Sequence, residues 1–143
     1  MIMAIGVIVI IATIMAISLS MTATTTKKTT DLYIYEQAVL LSKSAAEYGL
    51  LRISQSPPCS ISNLNFSPDV DGDGNPDYYD INISMQYIYD SNASCIANGG
   101  TLYTTVTNEE QNGSVLMDIA VSVNDTSVAS EPIRFFRRSI QKL

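Results

Sequence analysis

The densest set of side chains able to do chemistry is the run Asp69-Val70-Asp71-Gly72-Asp73-Gly74-Asn75-Pro76-Asp77-Tyr78-Tyr79-Asp80. Acids stand at loop positions one, three, five, nine and twelve, with Gly74 at position six. Calcium takes six to eight oxygen ligands; odd-numbered carboxylates in a tightly turning loop point inward, and a glycine permits the sharp turn. Asp69, Asp71, Asp73, Asp77 and Asp80 are therefore candidate metal ligands through their carboxylates, and Asn75 through its backbone carbonyl. The last position usually supplies a bidentate carboxylate, and Asp80 is one methylene shorter than the common Glu. Five carboxylates this close repel one another unless a cation sits among them, so Ca2+ is the expected cofactor, in a structural role. The competing reading is an acidic Gly/Pro surface turn that needs no metal.

Other chemistry is thinly supplied. The chain has no His, which removes Ser-His-Asp and Cys-His nucleophile systems, imidazole-based zinc sites and histidine acid–base catalysis. No catalytic residues are expected and no enzyme activity. Fourteen Asp and Glu stand against eight Lys and Arg, and all fourteen acids lie between Asp31 and Glu131 with only Lys43 and Arg52 among them. An acidic body repels nucleic-acid phosphate, so DNA is not an expected partner. Arg134, Arg137, Arg138 and Lys142 form a basic tail better suited to acids of a neighbouring subunit or to solvent.

Cys59 and Cys95 lack the CxxC spacing of a metal or redox motif. In an exported chain a disulfide is the expected use, contributing roughly 3–4 kcal/mol in the chain-entropy model. Two buried free thiols are the alternative. The acidic run lies between the two cysteines, so metal and disulfide would jointly order residues 54–68, which have little apolar periodicity of their own.

These residues must be held by two larger elements. Met1 to Met21 carries no charge, and the first charged residue is Lys27. About 20 apolar residues is what a helix needs to cross ~30 Å of hydrocarbon, so residues 1–26 are expected to form a membrane-inserting helix. A secretory signal peptide would start with basic residues and end at a small-residue cleavage site. Thr22 to Thr30 is a weak helix former. Beyond it, Leu32, Tyr35, Val39, Ala46, Leu50 and Ile53 recur at a helical period, flanked by Ala38, Leu41, Ala45 and Tyr48, so residues 27–54 are expected to continue as an amphipathic helix. Pro57-Pro58 should end it. One helix of this length, about 80 Å at ~1.5 Å per residue, is longer than any globule the chain could build, so its first half must protrude.

Residues 55–80 then form the loop, and residues 81–143 a sheet. Ile81, Ile83, Met85, Tyr87 and Tyr89 alternate with more polar residues, as do Val115 to Val123, and Thr101 to Thr107 and Pro132 to Ile140 complete four expected strands. Asn112-Gly113 favours a tight turn ahead of the third strand and suggests an antiparallel hairpin. The expected fold class is α+β, a long N-terminal helix packed on a small four-stranded antiparallel sheet.

An apolar helix with the texture of Val7-Ile8-Val9-Ile10-Ile11-Ala12-Thr13-Ile14-Met15-Ala16, an amphipathic continuation, and a small sheet with one disulfide resembles a mature type IV pilin or type II secretion pseudopilin. The resemblance implies a leader removed by a prepilin peptidase, with Met1 as the processed and N-methylated residue. It further implies a homo-oligomeric helical filament, residence in the inner membrane before assembly, dependence on a pilus assembly machinery, and a final location in an extracellular pilus or periplasmic pseudopilus. Two features depart from the family: Ile5 stands where most major pilins carry a glutamate, and Thr22 where a proline is usual, so local melting over 22–30 is an expectation resting only on weak propensity. The acidic run is similar to EF-hand-like and thrombospondin type 3 calcium loops, without the helix pair of a true EF-hand. The implied function is a major pilin, with a minor pilin or pseudopilin, or a non-polymerising membrane-anchored calcium-binding or adhesive module, as alternatives.

N-x-Ser/Thr sequons occur at Asn65, Asn82, Asn92, Asn112 and Asn124. Acids two residues ahead of Asn82, Asn92 and Asn112 resemble the extended acceptor of bacterial N-glycosylation, which makes these three the candidate glycosylation sites.

Overall fold

The structure, a computed structural model, describes residues 2–69, 72, 74, 78–90, 94–110, 112–123, 125 and 127–143. A single helix, α1 (Ile2–Ser54), leads into β1 (Asn63–Phe66), β2 (Tyr79–Tyr89), a one-turn α2 (Ser94–Ala97), β3 (Leu102–Thr105), β4 (Ser114–Val123) and β5 (Ile133–Lys142). This is the expected α+β class, with five strands where the sequence pattern suggested four.

α1 is unbroken through the threonine segment, so the expected melting over 22–30 does not occur. The reason is visible in the hydroxyls. Thr22, Thr24, Thr25, Thr26, Thr29 and Thr30 each donate to the carbonyl four residues earlier, at 2.9–3.2 Å, and Thr13 donates to Ile10. A hydroxyl satisfied inside the helix no longer competes for the backbone in a non-helical conformation. The helix ends where the two prolines require, with Ser56 N donating to the Ile53 carbonyl in a last tight turn before Pro57.

From Met3 to Thr30 every residue of α1 is exposed; from Asp31 onward one face is covered by the sheet. The covered face is not centred where the large apolar residues put it. Leu32, Tyr35 and Tyr48 are exposed, whereas Ile34, Ala38, Ser42, Ala45, Ala46, Gly49 and Ile53 are buried. Small residues win this face because the sheet approaches closely and supplies the bulk itself. A β-carbon at Gly49 would lie 3.0 Å from Met85 Cε and 3.4 Å from Met117 Sδ. Periodicity read from large side chains therefore found the helix but rotated its contact stripe.

The strand order is β1-β2-β4-β5. β4 pairs antiparallel with β2 along Tyr79 to Ile88 and with β5 along its whole length. The other edge of β2 is shared, with β1 antiparallel at Ile81–Ser84 and β3 parallel at Tyr87–Tyr89. The sheet is thus not wholly antiparallel, and the hairpin expected between the second and third sequence-predicted strands is absent. Gly113 does adopt a turn conformation (φ 78°) before β4, but its N–H donates to Ile88 of β2. β4 lies between β2 and β5 because its inward residues Val115, Met117, Ile119, Val121 and Val123 are all apolar and fully buried, which suits a central strand. β1 escaped the sequence reading because Asn63-Leu64-Asn65-Phe66 is only four residues long.

The core lies between α1 and one sheet face, built on Tyr79, Ile81, Ile83, Met85 and Tyr87 from β2 and the five inward β4 residues. Tyr79 is fully buried, and its hydroxyl donates to Gln37 Oε1 of α1 at 2.7 Å, giving the helix–sheet contact a polar register point. Replacing Gly49 by Leu forces bulk into this contact. Gly49→Leu is expected to lower unfolding stability by about 1–3 kcal/mol, measured by chemical denaturation of the full chain in detergent, whereas Gly49→Ala needs only small shifts of two flexible methionine ends.

Candidate metal-binding loop

β1 and β2 are antiparallel with Phe66 opposite Ile81, so the acidic run is the connection at one end of this strand pair. At its neck the Ser67 hydroxyl donates to Asp80 Oδ1 at 2.8 Å. Asp80 belongs to β2 and projects from the solvent face of the sheet, opposite Ser122 of β4. At the entry Asp69 organises the turn: Gly72 N donates to its Oδ1 at 2.6 Å and Gly74 N to its Oδ2 at 2.8 Å. Both glycines have positive φ, 79° and 86°, which bends the chain back over the Asp69 carboxylate.

This arrangement suits a first-position oxygen ligand, since two backbone donors fix the carboxylate and a carboxylate offers about four lone-pair sites. Gly74, expected at the sharp turn, is at one. Asp71, Asp73, Asn75 and Asp77 lie outside the described residues. Among the described residues, no three acid, Cys or His side chains gather closely enough to hold a metal.

The disulfide secures the other end of β1. Cys59 and Cys95 are bonded, both buried, with Cα atoms 4.8 Å apart, which settles the alternative of two free thiols. Cys95 comes from α2, and the loop after α1 is tied to the same region by Asn98 Nδ2 donating to the Pro58 carbonyl at 2.8 Å and the Tyr87 hydroxyl to the Ile61 carbonyl at 2.7 Å. Gly100 packs so tightly here that a β-carbon would fall well inside contact distance of the Cys59 carbonyl oxygen. β1, too short to be stable by itself, is anchored covalently at one end and continues into the acidic turn at the other.

Of the candidate glycosylation sites, Asn82 lies mid-strand on the exposed face of β2, opposite Asn65 of β1 and Ala120 of β4. Asn112 lies in the turn just ahead of β4, with its Oδ1 accepting the Asp90 N–H at 3.1 Å. Asn92 and Met1 lie outside the described residues. A trough of about 680 Å³ opens beside Asp80 on the solvent face, floored by Ala120 and walled by Asn65, Asn82, Arg134 and Phe136. No sequence signal placed these residues together, because only the register of four strands brings them to one site.

The basic tail is partly spent within the head. Arg138 makes a two-pronged contact with Asp118, its cross-strand partner, with both N···O distances 2.6 Å. Lys142 donates to the backbone carbonyls of Glu110 and Asn112. Near the protruding helix, Asp31 accepts from both the backbone N–H and the hydroxyl of Ser130, latching the β4–β5 connection onto α1.

Comparison with protein-family models, with curated proteins and with solved structures finds no match for this chain.

The Ser130 donors hold the Asp31 carboxyl below its ordinary pKa, and the Arg138 guanidinium does the same for Asp118. Asp125 is lowered by hydrogen bonds from Ser127. A carboxyl whose folded-state pKa is depressed stabilises the fold above its unfolded value, and that contribution disappears as pH falls through the folded value. Stability is therefore expected to be flat near neutrality from these groups and to fall as pH drops below about 4. Denaturation midpoints measured across that range should show Asp31→Asn and Asp118→Asn each flattening part of the acid loss.

Proposed function

We propose that this chain is a structural subunit of a type IV pilin-like filament, held in a membrane by the first half of α1 before assembly and packed against like helices in the filament through the same segment afterwards. The observation that carries the reading is a single helix in two environments. Every one of residues 3–30 is exposed, and the most apolar stretch of the helix lies wholly outside the core. The second half of the same rigid element is built into the head. An apolar rod of this kind needs a cover on every side, which a bilayer or a bundle of like helices supplies. A flexible tether would serve a simple anchor; a rod continuous with the core transmits the orientation of each head to its neighbours, as a filament requires.

The acidic loop serves this function as a calcium-stabilised part of the head, with Asp69, Asp71, Asp73, Asp77 and Asp80 as side-chain ligands and Asn75 contributing its carbonyl. The preformed turn around Asp69 supports it.

Filaments sheared from source cells should contain this chain as judged by intact-mass spectrometry, with a mass reporting the processed start, the disulfide and any glycan; recovery only from the membrane pellet as a monomer would remove the filament reading. For the loop, calcium at 100 times its Kd should stabilise the purified chain by about 2.7 kcal/mol relative to a chelator. Asp73→Asn should reduce that gain, and an unchanged melting temperature with and without calcium would leave only the metal-free turn.

A further inference from the structure

We infer that the part of α1 embedded in lipid hydrocarbon runs to Thr26, so that Thr22 to Thr26 are buried among acyl chains, Lys27 and Lys28 lie in the headgroup layer, and the head rests directly on the membrane surface. The inference rests on the membrane-anchored state of the proposed function.

The end of the expected 1–26 span is its most polar part, and free hydroxyls at Thr22, Thr24, Thr25 and Thr26 would draw that end out of hydrocarbon into water. The structure removes the ground for that reading. What excludes a hydroxyl from hydrocarbon is the loss of its hydrogen bonds to water. Here each hydroxyl already donates within the helix: Thr22 to Ser18, Thr24 to Ser20, Thr25 to Met21 and Thr26 to Thr22. A backbone carbonyl has two lone pairs and accepts this second bond without losing its helical one. The surface left to the surroundings is rich in threonine methyls, and no charged residue interrupts it before Lys27.

The length agrees. Met3 to Thr26 spans about 36 Å at 1.5 Å per residue, which fits ~30 Å of hydrocarbon at a tilt of about 30°, within the usual range for single helices. The first charges after the span are a pair of lysines, whose long stems reach to anionic phosphates. The head begins at this level too: Ser127, Val128, Ala129 and Ser130 line a hollow of about 340 Å³ against Thr26, Lys27, Thr30 and Asp31. Polar loop, lysine pair and the Asp31–Ser130 latch thus share one plane around α1, with no hydrated stalk beneath them. Apolar exposure around the whole circumference of residues 3–21 favours acyl chains, which cover a rod on all sides, over a protein groove that covers one.

The chain contains no Trp, so single tryptophans report depth without background. Full-length Ile11→Trp and Ala23→Trp, neither of which disturbs a threonine hydroxyl, are reconstituted in phosphatidylcholine/phosphatidylglycerol vesicles with acyl chains either plain or brominated. Both are expected to lose most of their emission to the brominated lipid and to resist aqueous iodide. If only Ile11→Trp is quenched by bromine and Ala23→Trp responds to iodide, the threonine segment lies in water and the inference is overturned while the membrane anchor stands. If neither responds to bromine, the anchor itself fails and takes the inference with it. Adding Thr24→Gln and Thr25→Gln to Ala23→Trp should move the tryptophan outward and cut its bromine quenching, while Thr24→Val and Thr25→Val should leave it unchanged. Equal quenching in the glutamine and valine forms would show that hydroxyl pairing does not set the depth.

Discussion

The constraint on which everything else depends is that α1 is rigid and about twice as long as the sheet it packs on. A helix hydrogen-bonds its own backbone and can leave the core without leaving polar groups unsatisfied, which no strand of this chain could do. The molecule can therefore present some 28 exposed residues on one side of the Asp31 latch and bury a stripe of small residues on the other. Breaking the helix at Thr22–Thr30 would uncouple the two halves. The threonine hydroxyl bonds keep the polar side chains from competing with the backbone at the one place where propensity is weakest.

Close approach follows from the same economy of side chains. Ala38, Ala45, Ala46 and Gly49 on the helix let Met85, Met117 and Ile83 lie against its surface, so the sheet supplies most of the core volume. The solvent face of the sheet carries Asp80, Asn82, Ser122, Arg134 and the Asp118–Arg138 pair, interleaved with exposed Phe136 and Ile140. Edge strand β5 carries Arg134, Arg138 and Lys142 outward, charges that discourage uncontrolled strand pairing at an open edge.

Near the acidic loop the head trades periodicity for tethers. β1 has four residues and no core of its own, yet it is held by the Cys59–Cys95 bond at one end and by the Ser67–Asp80 and Asp69–glycine hydrogen bonds at the other. Such a segment tolerates a loop of many carboxylates because its position does not depend on apolar burial within the loop.

Much of this architecture was legible in the sequence. The charge-free opening stretch, the helical period to Ile53, the stop at Pro57-Pro58 and the alternation over Ile81–Tyr89 and Val115–Val123 are local patterns, and local periodicity is what backbone hydrogen bonding imposes on a sequence. The sharp turn at Gly74 was legible for the same reason, though not that Gly72 and Gly74 would both donate to the Asp69 carboxylate. Tertiary structure decided what depends on residues distant in the chain. It paired β3 in parallel with β2 where a hairpin to β4 was expected, recruited β1, turned the buried stripe of α1 toward its small residues, and gathered Asp80, Asn82, Arg134 and Phe136 around one trough. Which strand lies beside which, and how closely a helix may approach, are settled by the volume each inward side chain has to fill, a quantity that no single segment carries by itself.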